Sequence, residues 1–209
     1  ESTSSALTGT QIDLQYTPRK VVMHPQQPLM YILEGDNCCR TVDGVVSEGY
    51  EGEWSGGVHV FNISTQQLDQ FIPCTKDCCP TAGCIVHSQL QDTTYLVVSM
   101  VCGQKTRPRT WKECTINVYT MANNTVQLFH TTKVQAPARA LIEYKGMLLA
   151  GIGRTLSLFD IGKKTLLKKA ELRQLDSDVA FLHVVGDTII MTGVSDGFNF
   201  VRYNAASHQ

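Results

Sequence analysis

The hydrophobic pattern of this chain is built from short runs closed by tight turns. Between Pro137 and Leu172 it reads PARALIEYKGMLLAGIGRTLSLFDIGKKTLLKKAEL. Apolar runs or alternations of a few residues are cut at Lys145-Gly146, at Gly153-Arg154 and at Ile161-Gly162-Lys163. That spacing predicts four antiparallel strands, Ala138–Tyr144, Met147–Ile152, Thr155–Asp160 and Thr165–Ala170. Four strands within about 35–45 residues is the size of one β-propeller blade. A scaffold of repeated sheets is expected, not an enzyme with a single cleft.

The same unit recurs with looser edges. One copy is Arg19–His24, Leu29–Glu34, Gly57–Ile63 and Gln67–Ile72; another is Cys84–Leu90, Thr94–Val101, Thr115–Met121 and Thr125–Thr131. Each is interrupted between its second and third strands. Gly35–Gly56 reads as one excursion loop and Cys102–Cys114, CGQKTRPRTWKEC, as the other. A last copy, Val179–Val185, Thr188–Thr192 and Phe198–Tyr203, lacks an outer strand. The expected fold is all-β, with WD40-like propeller blades at approximately 17–73, 82–132, 137–172 and 178–209. Three and a half blades cannot close a ring of about four to eight, so the propeller is incomplete. A β-sandwich made from the same strands is the alternative. Val134–Tyr144 contains helix formers, but Pro137 and the alternation beyond it favour a strand.

Composition narrows the function classes. The 209 residues are 43% hydrophobic and 18% charged, and 18 basic against 19 acidic side chains leave a net charge of -1. Such a chain folds as a globule and has no overall field to draw in nucleic acid or an anionic membrane. No apolar run reaches the ~18 residues of a spanning helix. The opening ESTSSALTGT has neither the basic start nor the apolar stretch of a signal peptide, and a start at Glu1 suggests an excised or processed piece. There are 8 cysteines, at positions 38, 39, 74, 78, 79, 84, 102 and 114. Reduced thiols in an intracellular protein are expected. Asn62-Ile63-Ser64 and Asn123-Asn124-Thr125 match a glycosylation acceptor pattern that matters only in a secreted chain.

Candidate chemistry is sparse. Cys74, Cys78, Cys79 and Cys84, with His87 beyond, are the weak candidates for a metal, because thiolates at short gaps suit tetrahedral zinc. The two pairs abut, however, without the spacer that folds one pair onto the other, so no metal and no cofactor are expected. Gly151-Ile152-Gly153 lacks the third glycine and following helix of a dinucleotide loop. Gly162-Lys163-Lys164-Thr165 lacks the earlier glycine of a phosphate loop. There is no Gly-x-Ser-x-Gly elbow. His24, His59, His87, His130 and His183 lie in or beside strands with no evident orienting carboxylate. Asp176, Asp178, Asp187 and Asp196 sit near turns, where Asp commonly bonds its own backbone. Lys105, Arg107, Arg109 and Lys112, with Trp111 among them, form the candidate partner-binding patch. Arg and Trp are the side chains that anchor protein interfaces, and the same set could grip a phosphate and stack on a base. Lys163, Lys164, Lys168 and Lys169 read as a solvated edge protected by charge.

Several stretches resemble a known family. They are LQYTPRK (Leu14–Lys20), MHP (Met23–Pro25), GVHVFNI (Gly57–Ile63), LFDIGKKTLLKK (Leu158–Lys169) and FNFVRY (Phe198–Tyr203). They are similar to the large multi-propeller scaffolds that include damage-specific DNA-binding protein 1, the large subunit of the cleavage and polyadenylation specificity factor, and splicing factor 3b subunit 3. The GKK turn, the LLKK that follows it and the closing VRY resemble the last branch most. Between Asn37 and Thr115 the resemblance is patchy. It implies a piece of a C-terminal propeller in a nuclear, non-enzymatic subunit of the U2 small nuclear ribonucleoprotein. The implied partners are a HEAT-repeat subunit, a small zinc-binding subunit and a small helical subunit, with RNA contact at most indirect and no membrane. Within the same family, an adaptor for a ubiquitin ligase or for mRNA 3′-end processing is the alternative. Outside it, the alternative is a metal- or thiol-dependent enzyme using the Cys74–Cys84 cluster.

Overall fold

A computed structural model describes residues 9–38, 41–42, 45–46, 52–122, 125–195 and 197–205. The first sheet is formed by β1 (Pro18–Met23), β2 (Leu29–Cys38), β5 (Glu53–Asn62) and β6 (Gln67–Pro73), with the two-residue strands β3 (Thr41–Val42) and β4 (Val45–Val46) paired in the excursion. The second contains β7 (Cys78–Ser88), β8 (Thr93–Cys102), β11 (Glu113–Ala122) and β12 (Thr125–Val134). Its excursion is the small hairpin of β9 (Lys105–Thr106) and β10 (Arg109–Thr110). The third contains β13 (Ala138–Tyr144), β14 (Met147–Ile152), β15 (Thr155–Ile161) and β16 (Leu166–Leu172). In the fourth, β17 (Val179–Val185), β18 (Thr188–Gly193) and β19 (Phe198–Arg202) make a three-stranded sheet. Every sheet is an antiparallel meander in chain order.

The sheets stack in series, as propeller blades do. Leu33, Val58 and Val60 of the first meet Leu96, Val98 and Met100 of the second. Val86, Val97 and Ile116 of the second meet Leu148, Ala150 and Phe159 of the third. Leu149, Leu156 and Leu158 of the third meet Leu182, Ile189 and Met191 of the fourth. Three successive cores exclude the two-layer sandwich. They also explain why β8 and β14 are buried along almost their whole length. Neighbouring residues on a strand point to opposite faces, so Leu148 and Leu149 fill different cores, each with almost no exposure.

The blades repeat residue by residue. Each first strand carries a register break against its neighbour, skipping Arg19, Thr81, Arg139 and Ala180 in turn. The outer pairs break once more, at Asp69, Phe129 and Lys169. Such bulges bend and twist a strand locally. Two residues past the inner bulge, the cross-strand register leads to His59, Asn117, Ser157 and Asn199 on the third strands. Each is polar between apolar neighbours: VHV, INV, LSL and FNF.

Some expected boundaries shift. Gly35–Gly56 is largely strand at both ends, since Gly35 pairs Gly56 and Cys38 pairs Glu53. The glycines there are close-approach positions: a Cβ on Gly56 would lie 2.2 Å from the Glu34 carbonyl oxygen. The second blade's first strand begins at Cys78, not Cys84, and holds Pro80 one residue before its bulge. Asn123, Asn124, Cys39 and Asp196 lie outside the described residues.

Candidate partner-binding site

The four inner bulges converge. Arg19, Thr81, Arg139 and Ala180 line one open cleft of ≈ 420 Å³, joined by Gly35, Trp54, Cys79, Pro80, Gln104 and Val194. The first strands β1, β7, β13 and β17 touch one another in succession, which puts the cleft where the blades meet. Polar bonds between blades fix its floor. The Thr81 and Ser99 hydroxyls of the second sheet reach the Ala138 carbonyl of the third at 2.8 and 2.7 Å. Arg139 follows that carbonyl directly.

The second excursion leans over this cleft. Gly103 N–H donates to the Asp77 carbonyl at 2.8 Å, and Lys112 N–H to the Cys102 carbonyl at 2.9 Å. The Trp54 indole N–H donates to the Gln104 carbonyl at 2.7 Å, clamping the excursion to the first sheet. Between those anchors the β9–β10 hairpin turns through a cis Arg107-Pro108 bond.

The candidate residues thus share one excursion but do not form one free cationic cluster. Lys112 Nζ is 3.3 Å from Asp77 Oδ2, and Arg109 reaches Asp178 at 4.0 Å. Arg107 is exposed at the turn, and Lys105 is exposed in β9. Trp111 is 38% exposed. The one cation–π contact among the described residues is Lys145 over Tyr144, so Trp111 offers a bare ring rather than a preformed grip. The other basic stretch is paired along its hairpin, Lys168 with Glu171 at 2.7 Å and Lys169 with Asp160 at 3.0 Å.

The cysteines require a correction. Cys78 and Cys102 face each other across β7 and β8 with Cα atoms 4.0 Å apart, and they form a disulfide, contrary to the expected reduced pair. Strand register brings together two thiols that sequence spacing does not relate. Cys74, Cys79, Cys84 and Cys114 are free. Burial pushes the Cys74 and Cys84 thiols up to about 12, and those of Cys79 and Cys114 up to about 11. The candidate metal set is not brought together: Cys84 lies in the core between the second and third sheets, Cys79 packs with Val101 and Cys114, and Cys78 is bonded. No metal-binding group of three side chains occurs among the described residues.

His59 also departs from expectation, since it has an orienting carboxylate. Its Nδ1 bonds Glu34 Oε1, Glu34 being fully buried, while Glu34 Oε2 accepts the Tyr16 N–H at 2.9 Å. Phe71 covers the imidazole with ring centroids 4.4 Å apart. This buried pair ties the residues before β1 to the first sheet. The sequence reading missed both the cleft and this pair. Signals were present: a proline at or just before the bulge in three first strands (Pro18, Pro80, Pro137), and the recurring apolar–polar–apolar triplet of the third strands.

Residues 78–209 match the family described as the CPSF A subunit region. The chain is 27% identical to pre-mRNA-splicing factor rse1 of Neurospora crassa over 95% of its length, covering 18% of that protein. It is 24% identical to spliceosome-associated protein 130 A of Arabidopsis thaliana over 96% of its length, covering 20% of that protein. To the probable splicing factor 3B subunit 3 of Dictyostelium discoideum it is 27% identical over 76% of the chain and 13% of that protein. The chain therefore spans a fifth or less of the relatives it matches.

Proposed function

We propose a scaffold function on one premise: this chain belongs to the CPSF A subunit region family. Its relatives are named as splicing factors, and the parent protein acts in pre-mRNA splicing, as a counterpart of splicing factor 3b subunit 3. The chain is part of one propeller, with blades at about 17–73, 82–132, 137–172 and 178–209. It works without catalysis, in the nucleus, by holding partner proteins: the HEAT-repeat, small zinc-binding and small helical subunits of the splicing factor 3b complex. RNA contact is indirect. The observation that carries this reading is the similarity to splicing factors along 95% of the chain.

Geometry supports the mode of action. Rigid sheets hold the blades, and the excursion of the second blade is pinned at both ends while its hairpin faces outward. Recognition residues commonly sit on loops that a scaffold positions. Arg107 and Trp111 are exposed there, and both are residue types that anchor protein interfaces.

The test is affinity purification of the tagged full-length parent from nuclear extract, followed by mass spectrometry. Recovery of U2 particle proteins, including a HEAT-repeat subunit, is the expected result. Recovery of ubiquitin-ligase or cleavage-factor components instead would transfer the function to another branch of the family.

A further inference from the structure

We propose that the cleft at the four inner bulges binds a carboxylate on an acidic segment of a protein partner, and that Arg139 is the residue that reads it. This rests on the scaffold reading only in that the occupant is a protein.

Arg139 is the unpaired cation of the cleft. A guanidinium stays protonated at any physiological pH and offers five donors in a planar fork. The Nε of Arg139 is buried and has no hydrogen-bond partner. A buried donor left without an acceptor is costly, so such groups ordinarily find one. Arg19, on the same cleft, shows the satisfied alternative. Its Nε donates to the Gly35 carbonyl at 2.8 Å, and its Nη2 lies 3.3 Å from Asp36 Oδ1.

The nearby carboxylates are committed elsewhere. Asp36 accepts the Thr17 N–H at 2.9 Å, and the Thr17 hydroxyl and that amide, with Arg19, hold its carboxyl below the usual range. Asp77 accepts from Trp54 N–H at 3.2 Å and pairs Lys112. Asp178 faces Arg109. Among the described residues no carboxylate pairs with Arg139.

Shape and charge select the kind of ligand. A volume of ≈ 420 Å³ takes one or two side chains, and Pro80, Ala180 and Val194 give it an apolar wall. A single open guanidinium suits one carboxylate, which it can hold through two parallel bonds. A nucleic-acid backbone fits worse. A run of phosphates needs several free cations, whereas Arg139 is a single one and the chain's net charge is -1.

The experiment places a photo-crosslinker on the wall of the cleft, Val194→p-benzoylphenylalanine, in the full-length parent in nuclear extract. The crosslinked segment is then sequenced. The expected product is a protein segment with Asp or Glu within a few residues of the crosslink. Arg139→Glu should lower the yield about tenfold or more, matching a lost charge-assisted hydrogen bond. Replacing the partner's carboxylate by Arg should restore it. Arg139→Lys should keep part of the yield, and the melting temperature of each variant confirms that it is folded. If Arg139→Glu does not fold, Arg139→Gln is read in its place. A crosslink to RNA, a segment without a carboxylate, no protein crosslink, or a yield indifferent to residue 139 would each overturn the proposal. An acidic segment from a protein outside the splicing machinery would support the cleft and overturn the splicing reading.

Discussion

The third sheet and the second share a plan and differ in one insertion. Both run four antiparallel strands in chain order, both bulge on the first and the last strand, and both place a polar residue at the same third-strand position. The third joins its second and third strands through Gly153-Arg154. The second inserts the β9–β10 hairpin there, and the first sheet has its own excursion at the matching junction. The shared plan accounts for the cores. The insertion accounts for what is exposed beside the axial cleft. Stability therefore lies in the repeated positions, while the exposed basic and aromatic side chains Lys105, Arg107 and Trp111 lie in the interruption.

The comparison breaks most sharply at buried repeated positions. His59→Leu should cost about 3–5 kcal/mol, since it leaves the fully buried Glu34 without its partner. By contrast, Arg19→Ala, which removes a half-exposed ion pair with Asp36, should cost about 1 kcal/mol or less. Hydrogen exchange at the β2 and β5 amides of the full-length parent would read both.

Leu148→Ala should cost about 3 kcal/mol by opening the core between the second and third sheets. Leu167→Ala, on the exposed face of β16, should stay within about 0.5 kcal/mol. Equal losses would show that the third sheet is not held from both faces. Gly151→Ala should cost about 1–3 kcal/mol, because the new Cβ would lie 2.4 Å from Val179 Cγ1 and push the third and fourth sheets apart.

The thiols give a chemical version of the comparison. A thiol raised to about 12 is almost wholly protonated at pH 8, and the thiolate is the form that reacts. Cys74 and Cys84 should therefore stay unlabelled by iodoacetamide at pH 8 in the native parent and label fully once it is denatured. Fast native labelling of Cys84 would contradict its place in the core. A small effect on stability is also expected from the excursion itself. Replacing Lys105–Thr110 by a short glycine-containing turn should change it by no more than about 1 kcal/mol, since loop length enters closure entropy only weakly.

The third blade was legible because its strands are short and glycines sit at its turns: Ala138–Tyr144 and Met147–Ile152 have the expected bounds, as does Val179–Val185 of the fourth sheet. The second blade misled at its start. Pro80 and the cysteines of Cys78–Cys84 look like loop, yet a bulge lets a first strand tolerate a proline there. Gly35 and Gly56 also look like loop, although both pair in the sheet and the strand needs Gly56 for close approach. The cleft was illegible because Arg19, Thr81, Arg139 and Ala180 come from four separate blades. Only register relates them, and bulges shift register without changing composition. The disulfide was hidden in the same way.

The most direct test of the account compares the two basic stretches in one experiment, lysine-specific crosslinking of the full-length parent in its native complex. The account predicts crosslinks to partner proteins at Lys105 and Lys112 on the excursion, and few or none at Lys163 and Lys164 on the uninterrupted third blade. Crosslinks concentrated at Lys163 and Lys164, with the excursion silent, would contradict it.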